Sequence, residues 1–244
     1  MNRLYQRILL KLSGEALGAD EDGKGLCPHA LTHVAKQVIR VHEAGVQVAI
    51  VCGGGNILRG AEFGALGAQR ASADYMGMLA TIINGLALSD AIEREGAETR
   101  VLTALEIRQV AEPFVRRRAL THLERGRIVI LAGGTGNPFF TTDTAAALRA
   151  TELGCDVLLK ATKVDGVYSA DPKKDSGAER FTELSYMDVI QRGLKVMDGT
   201  AITLAMENRL PICVFDMFGE DSLARVLRGE GACTHIRNPE KATR

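Results

Sequence analysis

The chain has 244 residues, 46% of them hydrophobic, and its 30 basic and 30 acidic side chains cancel to a net charge of zero. That length admits one large α/β domain or two small ones, and the charge balance argues against a nucleic-acid binder or a polybasic membrane protein. No apolar run approaches the roughly 20 residues of a membrane span, and the N-terminal residues lead into a strand with no signal-peptide cleavage pattern, so a cytoplasmic protein is expected.

In chain order, residues 7–12 (RILLKL) predict a first strand, broken by Ser13-Gly14. Residues 28–44 predict a helix. Pro28 suits its first turn, Leu31, Val34, Ala35 and Val38 form one apolar stripe, and Gly45 suits its C-terminal cap. Residues 46–51 predict a second strand that ends in Gly53-Gly54-Gly55-Asn56. A long helix falls within 70–95, a short strand at 99–103, a helix at 114–125 and a buried strand at 127–132. A loop rich in glycine and hydroxyl groups, Gly133 to Asp143, precedes a helix at 144–153.

In the second half, 156–160 reads as a strand, 173–180 as a polar mobile loop, and 185–192 and 200–209 as helices. The remaining elements are a strand at 212–215, a helix at 222–227 and a last strand at 233–236. Continuous apolar strands alternating with helices predict a mostly parallel sheet covered on both faces, a three-layer αβα sandwich. No linker or repeat interrupts it, so residues 1–244 are expected to form a single domain with a functional division near residue 150.

The five cysteines are odd in number and none has C-x-x-C spacing, which predicts reduced thiols. His29 and His33 stand four apart on a predicted helix, without a third ligand at helical spacing. They read as a polar helix face.

Three strand ends carry glycine-rich turns: Ser13-Gly14, Gly53-Gly54-Gly55 and Gly133-Gly134-Thr135-Gly136. Ligands of open parallel sheets collect at the carboxyl ends of strands, and helix N-termini there attract phosphate. Lys11 and Lys160 each sit near the end of an apolar strand, where a lysine is costly to bury unless it meets an anion. A snorkelling surface lysine is the plain alternative for each. Arg59 could add a bidentate phosphate contact. Asp143 and Asp198 each read equally well as helix caps, and Phe139 and Phe140 as core. The sequence has no G-x-x-x-x-G-K-[ST] loop, no protein-kinase catalytic set, no G-x-G-x-x-G after a strand and no G-x-S-x-G elbow.

Lys11-Leu12-Ser13-Gly14, Gly53 to Asn56, Gly134 to Asp143 and Lys160 to Pro172 resemble the amino-acid-kinase superfamily. The Gly134–Asp143 loop and Asp74-Tyr-Met-Gly-Met-Leu-Ala80 are similar to its bacterial UMP-kinase branch. Lys195-Val-Met-Asp198 fits as well, although Gly199 stands where the branch carries a larger residue.

The resemblance implies transfer of the γ-phosphoryl group of ATP to UMP with Mg²⁺, its ligands left open. It implies that Lys11, Lys160, Asp143 and Asp198 are catalytic. It assigns Lys11, Leu12, Ser13, Gly14, Gly55, Arg59, Thr162, Tyr168 and Asp171 to ATP. It assigns Gly54, Asp74, Thr135, Gly136, Asn137, Pro138, Phe139, Phe140, Thr141 and Thr142 to UMP. It further implies a homohexamer, activation by GTP through Arg100, Arg127 or the Arg116–Arg118 run, and inhibition by UTP. The nucleophile would be a phosphate oxygen already ionised at neutral pH, so no histidine or cysteine need act as a base.

Overall fold

The computed structural model describes residues 5–19, 23–58, 67, 69–172, 174–175 and 177–238. In chain order the strands are β1 (Arg7–Leu12), β2 (Gln47–Cys52), β3 (Thr99–Thr103), β4 (Glu112–Pro113), β5 (Ile128–Ala132), β6 (Val157–Thr162), β7 (Val167–Tyr168), β8 (Arg180–Phe181), β9 (Glu183–Leu184), β10 (Ile212–Asp216) and β11 (Cys233–Ile236). The helices are α1 (Pro28–Glu43), α2 (Arg70–Arg94), α3 (Arg116–Glu124), α4 (Thr142–Leu153), α5 (Tyr186–Gln191), α6 (Gly199–Glu207) and α7 (Ser222–Leu227).

Nine strands form one sheet in the order β4-β3-β5-β2-β1-β6-β10-β11-β9, and β7 and β8 form a separate hairpin. All neighbours in the large sheet run parallel except β10 and β11. Strand side chains alternate between faces. Ile8, Leu10 and Leu12 of β1 therefore pack with α1, α2 and α7, while Leu9 joins the cluster formed by α3, α4, α5 and α6. The three-layer expectation holds, and nearly every predicted strand and helix is present within two residues of its expected ends.

Four differences are informative. Residue 180, expected in a polar loop, starts β8. The strands β4, β7, β8 and β9 have only two residues each, too short to leave a periodic signal. Thr141, not Asp143, caps α4: its hydroxyl accepts from the backbone N–H groups of Asp143 and Thr144, which frees the Asp143 carboxylate for other partners. Finally, α2 is long and apolar enough to cross a membrane by length and composition alone, contrary to the expectation that no run comes close, and 50% of its apolar window is buried in the fold. It packs on β3, β5 and α1 while Tyr75, Leu79 and Ile83 remain exposed on its outer face. A core helix passes the same test of length and composition, and half of this window packs in the fold.

Candidate active site

β1 has β2 on one side and β6 on the other. The chain leaves β1 through α1, on one face of the sheet, and leaves β6 towards α5 and α6, on the opposite face. The strand order thus reverses between β1 and β6, and such a switch point opens a crevice beyond the carboxyl ends of the two strands. Lys11 and Lys160 are direct partners in the β1–β6 register, so both side chains rise on the same face beside that crevice.

The two lysines converge on one carboxylate. Lys11 Nζ lies 2.7 Å from Asp143 Oδ1, and Lys160 Nζ donates to Asp143 Oδ2 at 2.7 Å. Side-chain exposures of 8% for Lys11 and 15% for Lys160 dispose of the snorkelling alternative. Ammonium groups on adjacent strands, about 5 Å apart, would repel by about 3 kcal/mol at an effective dielectric constant of 20. Asp143 offsets that repulsion and leaves the trio with one net positive charge. Burial would raise the Asp143 pKa, but the two lysines outweigh it and hold the carboxyl below its ordinary value. Burial is also the largest influence on Lys160 and, against the attraction of Asp143, lowers its pKa. Lys160 Nζ additionally donates to the carbonyl of Val196.

Asp198 lies one layer further out. It is the N-cap of α6, accepting from Ala201 N–H at 3.0 Å, as the sequence allowed. Its carboxylate also accepts from the hydroxyls of Thr141 and, at 2.9 Å, Thr144. It therefore locks the first turn of α4, which carries Asp143, against the first turn of α6.

The glycine turns are pressed together. A Cβ on Gly14 would stand 2.6 Å from the Gly55 nitrogen and 2.4 Å from Asn56 Oδ1, and one on Gly54 2.8 Å from the Gly77 carbonyl of α2. Beneath them Asn56 and Asn84 exchange amide hydrogen bonds of 3.0 and 2.7 Å, and Asn84 donates to the Gly53 carbonyl at 2.6 Å.

A cavity of about 220 Å³ opens on this side, lined by Gly54, Gly55, Asp74, Thr135, Asn137, Phe140, Thr141 and Thr142, with Arg70 and Thr81. Gly136, Pro138 and Phe139 shape its loop without lining it. Phe139 adopts φ 71°, a region that costs a residue with a side chain free energy. Its N–H donates to Asp74 Oδ2 at 2.7 Å, and the Arg70 guanidinium lies 5.9 Å from its ring centroid. Phe139 and Phe140 are exposed, which removes the core reading.

A second cavity, about 540 Å³, lies on the β6 and β10 side of the lysines and is lined by Lys160, Thr162, Tyr168 and Asp171, with Arg192 and Lys195. Its wall is held by Thr234, whose buried hydroxyl accepts from Val167 N–H at 2.8 Å. Leu12, Ser13 and Gly14 line neither cavity and lie between them. Arg59 falls outside the described residues.

Sequence reasoning missed Arg70, Thr81 and Asn84. Arg70 clamps Asp74 through Nε at 2.9 Å, four residues away on one helix face, a spacing that could have found it. Thr81 accepts from Gly133 N–H at 2.8 Å, a long-range contact with no local signal. Arg100 and Arg127 open into different cavities; Arg127 pairs with Glu98 at 2.8 Å, and Arg100 stands 3.9 Å from Glu112.

Residues 6–216 match the model of the amino acid kinase family. Among solved structures, the chain is similar to UMP kinase from Bacillus anthracis, at 41% identity and a TM-score of 0.93 with 97% of each chain covered. It is also similar to UMP kinase from Ureaplasma parvum, at 34% identity and a TM-score of 0.91 over 98% of this chain and 100% of the other. The chain belongs to the amino acid kinase family.

Proposed function

We propose that the chain transfers the γ-phosphoryl group of ATP to UMP, releasing UDP and ADP. The observation that carries this reading is the Lys11–Asp143–Lys160 centre at the switch point, with one cavity on either side of it. UMP occupies the smaller cavity. Asp74 receives its ribose hydroxyls, Gly54 and Thr135 to Thr142 surround its base and phosphate, and the start of α4 faces that phosphate. The adenosine of ATP occupies the larger cavity against Thr162, Tyr168 and Asp171. Its phosphates reach back across Ser13, Gly14 and Gly55.

An ionised oxygen of the UMP phosphate attacks the γ-phosphorus. The bond to the β,γ-bridging oxygen breaks, its electron pair leaves on ADP, and no proton need move. Lys11 and Lys160 stabilise the charge that spreads over the transferred group, and the fixed strands supply alignment. Asp143 and Asp198 act on this chemistry by position. The first holds the lysines together and the second holds the first in place. Both oxygens of Asp143 face lysines and those of Asp198 face hydroxyls and a backbone N–H. That donor set suits Mg²⁺ carried in on the phosphates of ATP with its own waters, rather than in a protein cage.

The exposed Tyr75, Leu79 and Ile83 stripe on α2 supports a contact between copies of the chain, as the expected homohexamer requires. The free state of all five cysteines supports a cytoplasmic location. Continuity of the nine-stranded sheet across residue 150 supports a single domain. Activation by GTP acts through Arg100 or Arg127, and UTP inhibits.

The reading is tested by ADP release with UMP, CMP, acetylglutamate and carbamate as acceptors. Rapid turnover is expected with UMP. Turnover with acetylglutamate or carbamate and none with UMP would overturn it.

A further inference from the structure

We propose that Cys213, Cys233 and His235 form a site for one zinc ion on the face of the sheet opposite the lysine pair. No sequence motif announces it, because Cys213 lies on a different strand from the other two. The antiparallel β10–β11 register sets Cys213 directly across from His235. Cys233 is two residues before His235, so it projects on the same face of β11 and is the diagonal neighbour of Cys213. Among the described residues these three form a cluster in which every potential ligand atom lies within 4.8 Å of the others, and Cys233 Sγ is 3.3 Å from His235 Nε2. Around a tetrahedral zinc with Zn–S of about 2.3 Å and Zn–N of about 2.0–2.1 Å, neighbouring ligand atoms stand roughly 3.5–3.8 Å apart. The cluster needs only side-chain adjustment to reach that geometry.

The chemistry of the donors favours zinc over the ion that accompanies ATP. Two thiolates and an imidazole are soft and borderline ligands, whereas Mg²⁺ takes oxygen. The site takes both cysteines as thiolates and His235 as neutral imidazole, releasing the protons they hold, and yields a neutral centre, two thiolates against one Zn²⁺, which suits a site packed against the apolar cluster that includes Cys213. The half-buried His235 leaves the fourth position open to water. A zinc here would clasp β11 to β10. Thr234, between the two β11 ligands but facing the other side of the sheet, props Val167 in the wall of the larger cavity, so the clasp would brace that wall from behind.

The test uses the full, reduced chain dialysed against Zn²⁺, followed by metal analysis, with Co²⁺ as a spectroscopic probe. One zinc per chain and a thiolate-to-cobalt charge-transfer band are expected, unaffected by excess Mg²⁺. Cys233→Ser and His235→Gln, checked as folded by circular dichroism, should each weaken zinc affinity by at least about tenfold, and Cys27→Ser should not change it. Because His235→Gln leaves both cysteines intact, it tests the site even if Cys233→Ser fails to fold. Equal zinc affinity in wild type and His235→Gln, or less than one zinc per wild-type chain, would overturn the proposal. So would a Cys213–Cys233 disulfide whose reduction brings no zinc uptake.

Discussion

The two cavities beside the lysine pair are built by different means. The smaller one is made of backbone brought into contact: glycine turns pressed on one another and on α2, and a loop whose left-handed Phe139 is held by Asp74. The larger one is made of side chains on β6, β7 and the loops beside them, and its hairpin is tied to β11 by the hydroxyl of Thr234 and by Arg180, which donates to the Cys233 carbonyl at 2.8 Å. The first is over-determined by sterics, which suits the proposed selection of the acceptor. The second is a wall of side chains on which, in the proposed reaction, a nucleoside is received. The lysine–aspartate centre stands between the two, with Lys160 also in the wall of the larger cavity, and in the proposed reaction it sets the rate.

The comparison breaks first, and most severely, at that centre. Lys160→Ala removes half of the cationic pair and should lower kcat by roughly 10²–10³-fold, the scale for losing one preorganised electrostatic donor, while UMP affinity measured by calorimetry stays within a few-fold. Near-normal turnover would remove Lys160 from the mechanism. Next in size is the acceptor side. Asp74→Ala should raise the KM for UMP by roughly 10–100-fold, the loss of hydrogen bonds to a charged group worth about 1.5–3 kcal/mol, with a smaller effect on the KM for ATP. A larger effect on ATP would invert the assignment of the two cavities.

The pH profile sharpens the account of the centre. The Lys160 pKa lies below its ordinary 10.5, so its charge, and with it turnover, should be lost at a lower pH than for an exposed lysine. Lys160→Arg should move that alkaline limb upward even where it lowers kcat. Asp143 is depressed below 3.8. Its contribution to stability is complete above that unfolded value and is lost as pH falls through the lower folded one. Acid denaturation of Asp143→Asn should accordingly lack that component. The smallest effect is structural. Asn84→Ala removes the donor to the Gly53 carbonyl and to Asn56 Oδ1 in the core and should cost about 1–3 kcal/mol, lowering Tm by a few degrees per kcal/mol, with the UMP KM rising more than that of ATP.

Much of this was legible in the chain. Continuous apolar strands gave the sandwich, and two lysines at strand ends beside glycine turns marked the centre, because few other arrangements make buried lysines tolerable. The pairing of both lysines with one aspartate was not legible. It depends on the β1–β6 register and on Thr141, not Asp143, taking the cap. Thr81, Asn84 and Thr234 act across 31 or more residues of sequence, where no local pattern reaches. The cysteine–histidine cluster depends likewise on a register that only the folded sheet fixes.

The central claim is that two nucleotides bind on opposite sides of one charged centre, and amide hydrogen exchange with each ligand alone tests it most directly. UMP should slow exchange in residues 134–142 and the first turns of α2. A non-hydrolysable ATP analogue should slow it in 162–172 and 193–196. Both together should give the sum, with added protection near Lys11 and Lys160. Overlapping footprints, or displacement of one nucleotide by the other, would contradict the account.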